Sequence, residues 1–412
     1  MRLYIDPGTG SMLFTILIGV LSAGIYAFRS SLVKLRFLFG GGYQKAESTE
    51  KYRIVIFTDS KRYWNVFEPV CDEFERRGEA LQYFTSSPDD PALEKSYEHV
   101  RCGFIGEGNK AFARLNMLKA EVLLSSTPGL DVYQWKRSRD VDFYVHIPHA
   151  SSDLTLYRMF GLDFYDAVLC SGEYQIRQIR QLEAIRHLPP KELIMTGITH
   201  LDVMRERLAN YTGRRKEETT VLLAPSWGAS AIFTKYGDSV ITALLETGYH
   251  IIVRPHPQSF TSEADMLNAI MQKYPDSDRL EWNRDTDNFD VLWRSDIMIS
   301  DYSGVIFDFC LVFDRPVICA DTTFDPAPYD ACWLEEEPWT FRTLPNISRS
   351  LKAEDLPRLK EIIDDCLHDR KYQKGRDAAR RETWANPGKA AELTADYLLK
   401  KQKEIHNRGS DS

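Results

Sequence analysis

Four short turns in this chain carry residue types that can move a proton or hold a phosphate. They are His146-Ile147-Pro148-His149-Ala150-Ser151-Ser152, Ala224-Pro225-Ser226-Trp227-Gly228, Arg254-Pro255-His256-Pro257 and Asp301-Tyr302-Ser303-Gly304. Pro255 and Pro257 stiffen the backbone on either side of His256. A rigidly aimed imidazole beside a guanidinium suits proton transfer next to a phosphate. Arg254 can take phosphate oxygens in a fork geometry. The plain alternative is a structural histidine whose ring pairs with a nearby carbonyl. His149 carries the same two readings, and His146, inside a strand, can face the core.

The Asp301–Gly304 turn gains its interest from its flanks. Ile297-Met298-Ile299 is a short apolar run that predicts a buried strand. Val305, Ile306, Phe309, Leu311 and Val312 recur at spacings that predict a buried helix. The turn therefore sits where a strand gives way to a helix. A helix start leaves its first N–H groups unpaired, and its dipole favours anions there. Gly304 lets a phosphate approach those groups closely. Ser303 either caps the helix or offers its hydroxyl to the phosphate. The competing reading is an ordinary N-cap.

Each of the four turns follows a predicted strand, so the strands must position them. Arg53–Phe57, Ala80–Phe84, Val122–Leu124, Phe143–Ile147 and Ala167–Leu169 are short apolar runs ended by polar turns, with helical stretches between. The alternation restarts at Val221–Ala224 and runs through Ile251–Val253, Leu280–Trp282, Ile297–Ile299 and Pro316–Ala320. This predicts parallel βαβ units in two α/β domains. The charged stretch Arg214–Glu218 is read as the linker between them. Residues 1–44 are set apart as an N-terminal segment and linker, 45–212 as the first domain, 219–385 as the second. Residues 386–412 form a C-terminal helix and tail, with Gln402–Ser412 expected to be disordered. In open α/β sheets ligands bind at the carboxyl ends of strands, which is where the four turns lie.

A length of 412 residues exceeds one ordinary core. A net charge of −8, with no basic run interleaved with aromatics, argues against nucleic acid as a partner. Cys71, Cys102, Cys170, Cys310, Cys319, Cys332 and Cys366 are scattered, which favours reduced thiols. Met12–Phe28 carries no charge and reaches the lower edge of the roughly 17–25 residues a span needs. Arg29, Lys34 and Arg36 follow it, which predicts a single-pass anchor in the inner (cytoplasmic) membrane with the domains on the cytoplasmic side. The alternative is a buried or interfacial helix. No zinc-like spacing, Walker loop, G-x-G-x-x-G fingerprint or G-x-S-x-G elbow is present. Nothing in the sequence calls for a metal or a cofactor. Phosphate-ready turns at a cleft favour a nucleotide-linked donor.

These turns together resemble the motifs of the CDP-glycerol glycerophosphotransferase family, the primases and polymerases of wall teichoic acid. Pro148-His149-Ala150-Ser151 looks like the family's Trp-His-Gly-Thr-Pro turn, and Ala224–Gly228 like its Ala-Pro-Thr-Trp-Arg motif. Arg254–Pro257 looks like its Arg-x-His-Pro motif, and Asp301–Asp308 like its Asp-Tyr-Ser-Ser-x-x-Phe-Asp motif. The resemblance implies a GT-B architecture of two facing Rossmann-like domains. It also implies a CDP-linked polyol donor, a lipid-linked glycan acceptor and association with the membrane. By resemblance His149 and His256 carry catalysis. Arg254, Pro255, Ser303, Gly304 and Asp308 then line the substrate site, with Ser226, Trp227, Ser151, Asp301 and Tyr302 in the matching motifs. Asp290 falls near a further donor-binding stretch. This chain departs from the family at Gly228 and Gly304, at Thr199 and His200, at Ser152 and Asp153, and in its N-terminal apolar segment. Related readings are a nucleotide-sugar glycosyltransferase, a sugar-nucleotide epimerase, or a catalytically weak glycan-binding homologue.

Overall fold

A computed structural model describes residues 51–213 and 218–410. The predicted anchor Met12–Phe28 and most of the charged linker lie outside the described residues. No described helix is long and apolar enough to cross a membrane.

The described chain builds two parallel sheets. The first contains β1 (Tyr52–Thr58), β2 (Leu81–Thr85), β3 (Val100–Phe104), β4 (Ala120–Ser125), β5 (Val141–His146), β6 (Ala167–Cys170) and β7 (Glu192–Met195), in the order β3-β2-β1-β4-β5-β6-β7. The second contains β8 (Thr220–Ala224), β9 (His250–Val253), β10 (Leu280–Trp282), β11 (Ile297–Ser300), β12 (Val317–Ala320) and β13 (Ser348–Leu351), in the order β10-β9-β8-β11-β12-β13. Each is a doubly wound sheet whose strand order reverses beside its first strand, between β1 and β4 and between β8 and β11.

Side chains of one strand alternate between two cores, which explains the continuous apolar runs. In β1, Ile54 and Ile56 pack on one face while Val55 and Phe57 pack on the other. In β11, Met298 faces one core and Ile297 and Ile299 the opposite one.

Packing across the two sheets is extensive. The helix Thr199–Asn210 precedes the linker, yet its Leu201 and Met204 belong to the same core as Phe307, Trp339 and Trp384. Asp153, after β5, accepts hydrogen bonds from the N–H groups of Trp339 and Thr340 at 2.7 Å each and so caps a helix of the second half. Asp202 receives the Trp384 indole N–H and the Gly388 amide at 2.9 and 2.6 Å. Gly197 has φ +99°, and a Cβ there would lie 2.3 Å from the Ala385 carbonyl oxygen, so only glycine lets this returning segment pass.

The C-terminal residues differ from expectation. The helix Ala390–Ser410 runs back along the first sheet and contributes Ala395 and Leu398 to its core. The expected disorder of Gln402–Ser412 does not hold for its described part. Gln402 is buried and bonded to Glu121 at 2.6 Å, Lys401 pairs with Glu192 at 2.7 Å, and His406 pairs with Glu121 at 2.9 Å. Polar composition here reflects specific partners on the sheet.

Candidate active site

The site is assembled from strand ends of both sheets. His149 lies just beyond β5, in the first sheet. Its ring packs on Tyr63 at 4.6 Å between centroids and stacks on Tyr157 at 5.6 Å. The Tyr157 hydroxyl lies 3.3 Å from His149 Nδ1 and 3.2 Å from His146 Nε2. It therefore donates to one ring and accepts from the other. His146 itself is fully buried and serves as the inner end of this chain. The Ser126 backbone offers His149 a second hydrogen bond, which favours the protonated ring against the effect of burial.

His256 lies beyond β9, in the second sheet. Its Nδ1 accepts the Gln258 backbone N–H at 3.1 Å. The neutral ring therefore carries its proton on Nε2. Its own N–H is bonded to the Pro225 carbonyl at 3.2 Å, which ties this turn to the Ser226 turn. Burial pushes both His149 and His256 down to about 4. Electrostatic coupling to His200 adds to this for His149, and the charges of Arg62 and Arg254 and coupling to His149 add to it for His256. Each ring is surrounded by protein yet keeps part of its surface open, as happens at the bottom of a cleft. The two histidines are thus already within electrostatic reach of each other.

Two guanidiniums flank His256 without a carboxylate in ion-pair contact among the described residues. Arg254 is half-buried and donates to Asn283 Oδ1. Arg62 reaches the same place from the turn after β1. A half-buried cation with no ionic partner favours an anionic ligand.

The Asp301–Gly304 turn completes the wall. Gly304 is the N-cap of the helix Val305–Val312, and no side chain caps that helix. Ser303 therefore does not cap it. No described residue accepts a hydrogen bond from the backbone N–H of Ser303, Gly304 or Val305. These groups, with the helix dipole behind them, form an anion-binding end. A Cβ on Gly304 would lie 3.3 Å from Ala150 Cβ, so this turn meets the His149 turn directly.

The remaining sequence candidates have distinct places. Asp301 is buried, and its carboxylate accepts the Ser226, Ile232 and Tyr302 amides at 3.1, 3.1 and 2.7 Å. It holds the two turns together instead of facing the cleft. Tyr302 donates its hydroxyl to the Trp227 carbonyl at 2.9 Å, and the Trp227 ring lies 6.2 Å from that of His256. Pro255, Ser226 and Ser151 are buried beneath the turns. Asp308 accepts from His200 Nε2 at 3.1 Å and from Asn288 Nδ2 at 3.4 Å. Asp290 is exposed and paired with Arg294 at 2.8 Å, outside this constellation.

Sequence reasoning missed Asp59, Arg62, Tyr63, Tyr157 and His200 as site residues. Asp59 and Arg62 follow β1 as the four turns follow their strands, so the signal was there. Solvent reaches Asp59, yet enclosure by surrounding protein raises its carboxyl. Tyr157 gave no signal, because its role depends on a loop folding back over His149.

Residues 162–331 match the family model described as CDP-Glycerol:Poly(glycerophosphate) glycerophosphotransferase. Over these residues the chain is similar to the CDP-glycerol glycerophosphotransferase family. The match includes the Ser226, His256 and Asp301 turns, and His149 lies just before it. No curated protein matches the sequence. Similar solved structures include the UDP-GlcNAc 2-epimerase of Methanocaldococcus jannaschii in complex with UDP-GlcNAc and UDP. It has 10% identity and a TM-score of 0.55, over 84% of this chain and 99% of that one. The Neisseria meningitidis UDP-GlcNAc 2-epimerase bound to UDP-GlcNAc has 12% identity and a TM-score of 0.53, over 84% and 99%. At such identity the likeness concerns the fold, an α/β, GT-B-like pair of parallel sheets. The match to a glycerophosphotransferase family over residues 162–331 supports transferase chemistry, and the donor and acceptor must be argued from the site.

Proposed function

We propose that this chain transfers glycerol phosphate, or a related polyol phosphate, from a CDP-linked donor to a hydroxyl of a lipid-linked or cell-surface glycan. The observation that carries the reading is the meeting of His149, His256 and the uncapped helix start at Ser303–Val305. The donor diphosphate lies against the amides of Ser303, Gly304 and Val305, with Arg254 and Arg62 neutralising its charge. The acceptor oxygen attacks the β-phosphorus in line. The bond from that phosphorus to the bridging oxygen breaks, and CMP leaves with the electron pair. The acceptor proton passes to the His149 ring, which Tyr157 and the Ser126 backbone hold in place. His256, with its proton on Nε2, donates to a phosphate oxygen and stabilises the charge that develops there.

The test is a thermal-shift panel with CDP-glycerol, CDP-ribitol, CDP, CMP, UDP-sugars and GDP-sugars. A ligand at one hundred times its Kd stabilises the native state by about 2.7 kcal/mol, a shift of a few degrees. A CDP-polyol is expected to give the largest rise. A larger rise with a UDP-sugar would replace this reading with a sugar-nucleotide one.

The same proposal places the chain at the inner face of the cytoplasmic membrane, anchored by Met12–Phe28 with Arg29, Lys34 and Arg36 on the cytoplasmic side. The full-length chain should stay with membranes through a carbonate wash. Release by carbonate would remove the anchor from the account.

A further inference from the structure

His200 is the second residue of the helix Thr199–Asn210, soon after the Gly197 passage, and only 3% of its side chain is exposed. Its Nε2 lies 3.1 Å from Asp308 Oδ1. An ionised carboxylate only accepts, so Nε2 carries the proton. In the tautomer with its proton on Nε2 alone, the ring presents a lone pair at Nδ1. That nitrogen is buried and has no partner among the described residues. A buried polar atom left unpaired is destabilising, and native proteins keep few of them.

The residues around His200 belong to the site. Asp308 lies one helical turn beyond Gly304, on the helix whose first amides are unpaired. Its second oxygen takes the Asn288 amide at 3.4 Å. On the other side, His200 lies close enough to His149 for the two rings to be electrostatically coupled. His200 thus stands in the wall between the donor helix and the catalytic histidine.

We infer that His200 is a specificity residue for the donor, with Nε2 fixing Asp308 and Nδ1 accepting a hydrogen bond from a donor hydroxyl. The hydroxyl belongs either to the ribose or to the polyol. This rests on the reading that a nucleotide-linked donor occupies the cleft.

Two variants separate the two nitrogens. His200→Gln keeps a donor at the Nε2 position for Asp308 and removes the acceptor at Nδ1. His200→Asn keeps a polar atom near the Nδ1 position and releases Asp308. For His200→Gln the ligand-free melting temperature should match wild type, and donor KM should rise about tenfold, the loss of roughly one hydrogen bond, with kcat little changed. His200→Asn should melt earlier yet bind the donor more tightly than His200→Leu. Binding of CDP alone and of CDP-glycerol is compared in each variant. Weakening with both ligands assigns the ribose hydroxyl, and weakening with CDP-glycerol alone assigns the polyol. Wild-type affinity of His200→Gln for both ligands would overturn the inference and leave His200 as a clamp on Asp308. If wild type prefers a UDP-sugar, the functional reading fails and the same comparison is made with that ligand. Binding of no nucleotide by wild type would overturn both.

Discussion

His149→Ala and His256→Ala should each lower turnover by roughly 10²–10⁴, the usual range for removing an acid–base group. His149→Ala should retain donor binding better, because the proposed diphosphate site is built mainly from the second sheet's turns and Arg254. The double substitution should cost much less than the product of the single effects, since both act on one transfer step. The acidic limb of kcat/KM should also be displaced. Both rings are pushed down to about 4, by burial first, with Arg62 and Arg254 adding to it for His256. Since kcat/KM reports the free enzyme, activity should be nearly flat between pH 8 and pH 6, where an ordinary histidine of pKa about 6.5 would already be charging. Stability follows the same sign. Between about 6.5 and about 4 the unfolded chain binds more protons than the folded one, so these two sites destabilise the fold as pH falls through that window. Near wild-type turnover in either single variant would make that histidine structural.

Asp301→Ala should be the most destabilising single change in the cleft. The carboxylate is buried and satisfies three backbone amides, the buried ones of Ser226 and Ile232 and the part-buried one of Tyr302. Removing it leaves all three without an acceptor and opens space beneath two turns. Each buried unpaired group costs about 1–3 kcal/mol, so a loss of about 3–5 kcal/mol is expected. Donor affinity should fall with it, because the Ser226 turn and the Tyr302–Gly304 turn both lose their common anchor. Denaturant unfolding of wild type and variant measures this. A loss below about 1 kcal/mol would mean that water or a neighbouring group replaces the carboxylate.

The sequence made the central strands legible and hid the margins. Every strand buried on both faces reads as a continuous apolar run, as β1, β8 and β11 do. The strands that escaped notice were β3, β7 and β13, each at an edge of its sheet. Edge strands carry polar residues where no neighbour covers them, such as Arg101 in β3 and Arg349 in β13. The turns at the strand ends could be named because parallel sheets collect them on one side. What each residue does within a turn could not. Asp301 and Ser303 stand two residues apart, yet one carboxylate is consumed by backbone amides and the other side chain leaves its helix uncapped. His200 looked like a lost motif position, and its pairing with Asp308 exists only because helices from both halves share one core.

The central claim is a transfer of polyol phosphate by a two-histidine cleft. The most direct measurement is steady-state CMP release from CDP-glycerol, with and without a lipid-linked or short-glycan acceptor. The account predicts CMP release that depends on the acceptor, joined to stoichiometric appearance of glycerol phosphate on that acceptor, and abolished in the His149→Ala/His256→Ala double variant. Release of CMP at the same rate in that double variant, or turnover of a UDP-sugar with none of CDP-glycerol, would contradict it.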